Sequence, residues 1–376
     1  MKKKVLFCTP FGLSNGGGIP RCSRHIFDYY QKCGCDNVSL SILPMDRKIY
    51  VNSNDSTIKR IYNGANEYFR IIKQIKKRIQ NESFDIVHIA SSASFSLLKD
   101  YLCVKMLRKM KVASIIHFHF GRIPEIIEKH GWEWKLLKRV SKLATKIIVI
   151  DQSSYNALLQ QGLTNVEYIP NPLSPITVEY ANQYSTLSRS ENTILFVGHV
   201  YRSKGVYELI EACGDIPNIK LKIVGLYSED TKEELLKLAN KYKDTLWVEF
   251  TGNVSATEVI KEMCQCTIFT LPTYTEGFPN VILESMASGC AIVSTKVGAI
   301  PEMLDINNSN SYGICISPQN IEELRTAILH MLNNPEYARF CGENAQVRVK
   351  EMYSMPTVWH KMCEVWEKIE VFHNFN

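Results

Sequence analysis

Thr193-Ile194-Leu195-Phe196-Val197-Gly198-His199-Val200-Tyr201-Arg202-Ser203-Lys204-Gly205 is the stretch on which the fold turns. Four apolar residues, Ile194 to Val197, stop at a glycine, as a buried parallel strand does. A short polar turn follows, and residues 204–213 then carry apolar side chains at helical spacing. Strand, turn and helix make half of a βαβ unit. The same beat continues downstream through 221–224, 231–242, 246–250, 257–264, 268–271, 279–288 and 291–294, with helices dominating after Ile321. Upstream it runs through 5–8, 20–32, 38–43, 66–79, 85–90, 97–110, 112–118, 134–144, 146–150 and 153–161. Such alternation predicts parallel sheets covered by helices on both faces.

The alternation pauses once. Residues 169–192 hold Pro170, Pro172 and Pro175 and a polar tail over 182–192. That break predicts a linker over 173–192 between two tandem, doubly wound, Rossmann-like α/β domains, 1–172 and 193–355, whose strand-end loops face a cleft. A chain of 376 residues exceeds what one core supports. The final segment, 356–376, places Val358, Trp359, Met362, Val365, Trp366 and Ile369 on one helical face. That face needs cover, either from the second domain or by returning to the first.

Composition removes several classes. Hydrophobic residues are 45% and charged residues 22%, ordinary values for a globular chain and unlike disordered or collagenous ones. The start, Met1-Lys2-Lys3-Lys4-Val5-Leu6-Phe7-Cys8, is basic and then apolar, but Pro10 and Gly12 break it before the length of a signal-peptide core. No apolar run reaches the ~18 residues of a membrane span. The 12 cysteines therefore read as reduced thiols of a cytoplasmic protein; Cys33/Cys35 and Cys264/Cys266 lack the partners of a zinc site. Charge is uneven. Residues 1–170 hold 27 Lys and Arg against 13 Asp and Glu, a net of +14; the remainder hold 17 against 25, a net of −8. A basic first half suits an anionic membrane surface, nucleic acid or an acidic ligand, or is simply a solvated surface.

Ligands of open parallel sheets bind beyond the carboxyl ends of the strands. Four such loops carry candidate chemistry. Gly16-Gly17-Gly18 follows the first strand and is either a plain turn or a loop that brings backbone N–H groups to an anion; it matches neither a dinucleotide fingerprint nor a P-loop. His117 and His119 end a strand and share a face, as hydrogen-bonding groups or as structural histidines. Arg202 and Lys204 follow Gly198, and two cations ahead of a helix suit a diphosphate. Glu276-Gly277-Phe278-Pro279-Asn280-Val281-Ile282-Leu283-Glu284 is the richest loop. Pro279 suits the first turn of a helix, which leaves the N–H groups of Asn280, Val281 and Ile282 for an anion. Glu276 and Glu284 are placed to accept hydrogen bonds from sugar hydroxyls.

Those last residues, followed by Ala291-Ile292-Val293-Ser294-Thr295 and Gly298-Ala299-Ile300-Pro301-Glu302, resemble glycosyltransferase family 4, retaining nucleotide-sugar-dependent enzymes of the GT-B fold. Val197-Gly198 leading to Lys204-Gly205 is similar to that family's phosphate-binding turn, and Gly16-Gly17-Gly18 to its first-domain loop. Ile169-Pro170-Asn171 resembles the segment before its linker. The resemblance implies transfer of a hexose-type sugar from a UDP- or GDP-sugar to a glycan or lipid-linked acceptor, in cell-surface polysaccharide biosynthesis. It implies that Glu276 contacts donor-sugar hydroxyls, that the backbone at 277–282 holds sugar and diphosphate, and that Glu284 binds the ribose. Lys204 would neutralise the departing diphosphate, Gly252-Asn253-Val254, after the strand ending at Phe250, would lie against the base, and His119, or less readily His117, would sit by the reacting sugar. Gly17, Gly18 and Gly198 join the donor set. The family often has Arg after the glycine that ends this strand; here it is His199, and Arg202 is the substitute guanidinium. No metal is implied. The C-terminal helix is implied to cross back to the first domain. A sugar-nucleotide epimerase or phosphorylase of the same architecture, or a non-catalytic sugar-nucleotide binder, is the competing reading. With a sugar-transfer role, the basic first half becomes a surface for a peripheral stay on the inner face of an anionic membrane, and nucleic acid becomes the weakest partner.

Overall fold

A computed structural model of the chain describes residues 2–12, 18–46, 57–306 and 311–370. It divides into two compact units, 1–171 with 358–376, and 172–357. Each is built on one six-stranded, wholly parallel sheet.

In the first unit the strands are β1 (Lys3–Thr9), β2 (Val38–Pro44), β3 (Ile86–Ser91), β4 (Ala113–Phe118), β5 (Lys146–Val149) and β6 (Val166–Tyr168), in the spatial order β2-β1-β3-β4-β5-β6. Every residue of β3 and β4 is buried, which is why both read as continuous apolar runs. Leu6, Val87, Ile89, Ile116, Phe118 and Ile147 pack with Leu97, Val104 and Leu107 of the helix Ser96–Lys109 into one core. The helix Met355–Lys368 lays Trp359 against Tyr29 and Tyr30, with ring centroids 6.0 Å apart in each case, and buries Trp366 completely. From Val358 onward the chain clusters with the first unit.

In the second unit the strands are β7 (Thr193–Val197), β8 (Lys220–Val224), β9 (Val248–Gly252), β10 (Ile268–Leu271), β11 (Ala291–Thr295) and β12 (Ile314–Ile316). Their order is β12-β11-β10-β7-β8-β9. Counted from β7, this is the 3-2-1-4-5-6 order of a Rossmann sheet.

The expected linker is not an open tether. Residues 173–192 group with the second unit and contain a helix, Pro175–Gln183, with Thr177 and Ala181 buried. Pro175 opens that helix at its first position, where its missing N–H costs nothing. Arg189 then ties the segment down, donating to the carbonyls of Cys266 (2.8 Å) and Ser288 (2.9 Å). The helix expected to begin at Lys204 is also broken: a 3-10 turn, Arg202–Lys204, precedes a helix that starts at Val206. All 12 cysteines are free thiols.

Candidate active site

The second sheet reverses its winding at β7 and β10, which lie side by side. From β7 the chain adds β8 and β9 on one side, then returns to build β10, β11 and β12 on the other. The loops after β7 and β10 therefore diverge, and this switch point is where such sheets bind ligands. Lys204 sits on the first loop and Glu276 on the second. Their side chains form an ion pair, the lysine 25% and the carboxylate 17% exposed.

The two loops are locked to each other. The carbonyl of Ser203 accepts from the Tyr274 N–H (2.8 Å) and from Thr273 Oγ1 (3.2 Å). Thr295 Oγ1 on β11 donates to the Thr273 carbonyl at 2.7 Å, and the Tyr274 hydroxyl donates to Glu208 Oε1 at 2.6 Å. Gly205 has φ of +73°, and a Cβ there would lie 2.0 Å from the carbonyl oxygen of Pro272. Only glycine permits this approach. Lys204 is thus held next to a rigid turn rather than on a mobile loop.

Beyond Glu276 the helix Asn280–Ala287 begins. Two expectations about its start need correction. Pro279 is not in the first turn; it stands at the N-cap with extended backbone and gives no side-chain cap. The N–H of Ile282 is also not free, because it closes onto the Pro279 carbonyl at 3.0 Å. The N–H groups of Asn280 and Val281 remain at the helix mouth, where the backbone dipole favours an anion. Asn280 Oδ1 is buried and makes no hydrogen bond to any of the described residues. Behind them, Gly298 has φ of +54°, and its missing Cβ would fall 2.2 Å from the Glu276 carbonyl oxygen. The N–H of Ala299 donates to the Gly277 carbonyl at 2.9 Å. The turn after β11 thereby props the Glu276–Gly277 backbone from below. Phe278 is buried edge-on against Tyr353, with centroids 5.8 Å apart, so its side chain anchors the helix and leaves only its backbone for a ligand. Glu284 lies half-buried one turn into the helix.

Other second-unit candidates take different stations. The N–H of Gly198 donates to the Val224 carbonyl at 2.9 Å, and the N–H of Gly225 to the Gly252 carbonyl at 2.8 Å, so the ends of β7, β8 and β9 are linked in series. Asn253 is exposed and Val254 half-buried just past them. Arg202 is exposed, with its guanidinium 4.2 Å over the ring of Tyr207, whose hydroxyl donates to Glu234. Exposed His199 stacks parallel on Tyr201 at 5.7 Å.

In the first unit, Gly18 opens the helix Gly18–Cys33, whereas Gly16 and Gly17 lie outside the described residues. His117 is buried at the end of β4, and His119, just beyond, stacks on it with centroids 4.0 Å apart. Burial holds both rings neutral. His117 is pushed well below the usual imidazole range by desolvation and by its neighbours His119 and His88. His119 is lowered to about 4 by desolvation, against the opposing pull of the Asn171 amide. Among the described residues, His117 Nε2 and both nitrogens of His119 find no hydrogen-bond partner of good geometry. A third ring that sequence reasoning missed, His88, is fully buried in β3, with Nε2 3.3 Å from His117 Nδ1. An isolated histidine in an apolar strand carries no signal of its partners.

The basic first-half surface is smaller than its sequence suggests. Lys99, counted with the surface cations, is 5% exposed and paired with buried Asp100, Nζ to Oδ1 at 2.6 Å. Trp134 is buried too, with the Lys138 ammonium 5.4 Å over its ring. Lys105, Arg108, Lys109, Lys111, Lys135, Arg139 and Lys142 remain exposed, as does Trp132, which stacks on exposed Phe95 at 5.4 Å. No helix among the described residues is long and apolar enough to cross a membrane. No group of three His, Cys, Asp or Glu among those residues is placed to hold a metal ion.

Comparison with known proteins agrees with this geometry. Residues 181–348 match the family model described as glycosyl transferases group 1, and residues 42–175 match that of glycosyltransferase family 4. An uncharacterized glycosyltransferase of Methanocaldococcus jannaschii is 28% identical over 295 residues, 76% of either chain. Among solved structures, sucrose-phosphate synthase from Thermosynechococcus elongatus superposes with a TM-score of 0.73 at 17% identity, covering 98% of this chain and 99% of that one. Anabaena HepE, in complexes with UDP and with UDP-glucose, superposes with TM-scores of 0.69 and 0.67 at 16% and 17% identity, covering 97% of this chain and 99% of that one. With two Rossmann-type units of GT-B kind and a glycosyltransferase model matched on either side of their junction, the chain belongs to the group 1, family 4-like glycosyltransferases.

Proposed function

We propose that this glycosyltransferase moves a hexose-type sugar, with retention, from a UDP- or GDP-sugar to a hydroxyl of a glycan or lipid-linked acceptor, in the building of a cell-surface polysaccharide. The observation that carries the donor class is the Lys204–Glu276 pair at the β7/β10 switch point, beside the open N-terminus of the helix Asn280–Ala287. A diphosphate displaces Glu276 as the partner of Lys204 and takes the N–H groups of Asn280 and Val281. The released Glu276 carboxylate then accepts from donor-sugar hydroxyls. Glu284 holds the ribose, and the 252–254 turn lies against the base. HepE, which holds UDP and UDP-glucose, supports a nucleotide sugar as the donor.

The costly step is breaking the bond between the anomeric carbon and the phosphate oxygen while charge gathers on the diphosphate. Lys204 and the helix N–H groups meet that charge from fixed positions, so little reorganisation is needed at the moment of reaction. Arg202 adds a second cation at the rim. The acceptor oxygen bonds to the anomeric carbon on the face that the phosphate leaves, and its proton passes to the departing diphosphate. No metal ion and no protein base are required for that balance. His119, or His117, contacts the reacting sugar as a neutral imidazole. The first unit binds the acceptor, and its exposed cations with Trp132 and Phe95 hold the enzyme on the anionic inner face of the cytoplasmic membrane.

Screening nucleotide sugars for turnover tests this reading. At least one UDP- or GDP-hexose is consumed, and Lys204→Ala lowers kcat by about 100-fold or more, as loss of one preorganised group at a developing anion does. Near-normal turnover by that variant sinks the assignment of Lys204.

A further inference from the structure

Trp366, on the C-terminal helix, and the histidines of β3 and β4 form one directed chain of hydrogen bonds. Trp366 Nε1 lies 3.1 Å from His88 Nδ1. An indole nitrogen only donates, so His88 Nδ1 must accept. His88 is fully buried and its pKa is lowered to about 3 by desolvation and by His119, so the ring is neutral and its single proton sits on Nε2. That Nε2–H points at His117 Nδ1, 3.3 Å away, which therefore accepts in turn. His117 is neutral as well, and with Nδ1 accepting its proton belongs on Nε2, a buried atom with no partner among the described residues. Among the described residues, the groups acting on the three rings are one another, the Trp366 indole and the Asn171 amide; no carboxylate is among them to reverse the polarity.

We infer that Trp366 is a positioning residue: through His88 it locks His117 in the Nε2–H tautomer and so presents a desolvated, neutral hydrogen-bond donor at the carboxyl end of β4. The group it receives is an oxygen of the substrate, hydroxyl or phosphate. This last clause rests on the sugar-transfer reading; the tautomer relay does not. The arrangement gives the return of the chain to the first unit a chemical task beside its packing. A histidine whose far nitrogen is fixed by a second group is oriented and tautomerically defined before the ligand arrives, and loss of such support typically costs 10- to 100-fold where it has been measured at metal sites.

The test uses the full-length enzyme with ¹⁵N-labelled histidine and long-range ¹H–¹⁵N correlation, which reads each tautomer without any substrate. The native protein is expected to show Nε2–H at both His88 and His117. Trp366→Phe keeps an aromatic ring but removes the donor, so His88 acquires Nδ1–H character and His117 follows. His88→Gln keeps the polarity, since its amide oxygen accepts and its NH₂ donates, and leaves His117 as Nε2–H. His88→Leu cuts the relay, and this Leu/Gln pair carries the test if Trp366→Phe does not fold. In turnover, kcat falls about tenfold in Trp366→Phe and His88→Leu and stays within about threefold of native in His88→Gln. Nδ1–H at His117 in the native protein overturns the inference. So do unchanged tautomers in both Trp366→Phe and His88→Leu, or equal loss of kcat in His88→Leu and His88→Gln. Absence of sugar transfer in the native enzyme, with the tautomers as stated, rejects the substrate reading alone.

Discussion

Each unit contains a lysine–carboxylate pair, and the two pairs behave as opposites. Lys99 and Asp100 are consecutive, with side chains 6% and 0% exposed, and Ser91 Oγ donates to the same carboxylate. Lys204 and Glu276 are 72 residues apart, with side chains 25% and 17% exposed, and meet only because the sheet sets β7 and β10 side by side in parallel. The first pair is sealed. Burial alone would push Lys99 down, but the charge and hydrogen bond of Asp100, together with the neighbouring Cys103 and Cys8, more than offset it and hold the ammonium up, so neither group can let go of the other. The second is an accessible pair at a site where a better anion can compete. Identical charge chemistry is structural in one place and exchangeable in the other, and burial decides which.

Removing one partner from each pair separates them most sharply. Asp100→Asn leaves an uncompensated buried ammonium and is expected to cost about 3–5 kcal/mol of unfolding free energy, read by denaturant titration. Glu276→Gln removes a part-exposed carboxylate, so stability should change by no more than about 1 kcal/mol while kcat falls by about 100-fold. Equal destabilisation by the two substitutions would erase the distinction.

Acid should act on the first unit before the second. His88 is neutral when folded, with a pKa of about 3, and titrates near 6.5 when unfolded. Below pH 6.5 the unfolded chain binds a proton that the folded chain refuses, so stability falls as pH falls. At pH 5 the loss from His88 alone is about 2 kcal/mol relative to pH 7. The His88→Leu variant should therefore show a shallower decline of Tm between pH 7 and 5 than the native protein. A smaller effect sharpens the picture at the rim. Arg202 is exposed and rests on Tyr207, so Arg202→Ala should lower kcat by about tenfold at most, well below the effect of removing Lys204.

Much of this was readable from residue order. β7 and β10 coincide with the runs 193–197 and 268–271, because strands buried on both faces leave unbroken apolar stretches. The strand-end loops carrying Lys204, Glu276 and Asn280 were legible for the same reason: polar residues between a buried strand and a helix have few structural reasons to be there. What escaped was set by how the chain packs in three dimensions. Lys99 reads as one more cation in a basic helix, because the charge pattern of that helix does not say which cation is buried against Asp100. Nothing near His88 announces a tryptophan 278 residues away. The short strands Val166–Tyr168 and Ile314–Ile316 offer only three residues of pattern each, too few to stand out from the loops around them. The helix Pro175–Gln183 hid behind prolines that mark a helix start as readily as a break.

Calorimetric titration of the native protein and Lys204→Ala with UDP, GDP and their hexose conjugates tests the central claim, that the β7/β10 switch point receives a nucleoside diphosphate. The native protein should bind at least one of them, and the variant should bind the same ligand at least about tenfold more weakly, with the loss carried by the diphosphate and absent from the nucleoside alone. Failure of the native protein to bind any nucleoside diphosphate, or equal affinity in the two proteins, would contradict it.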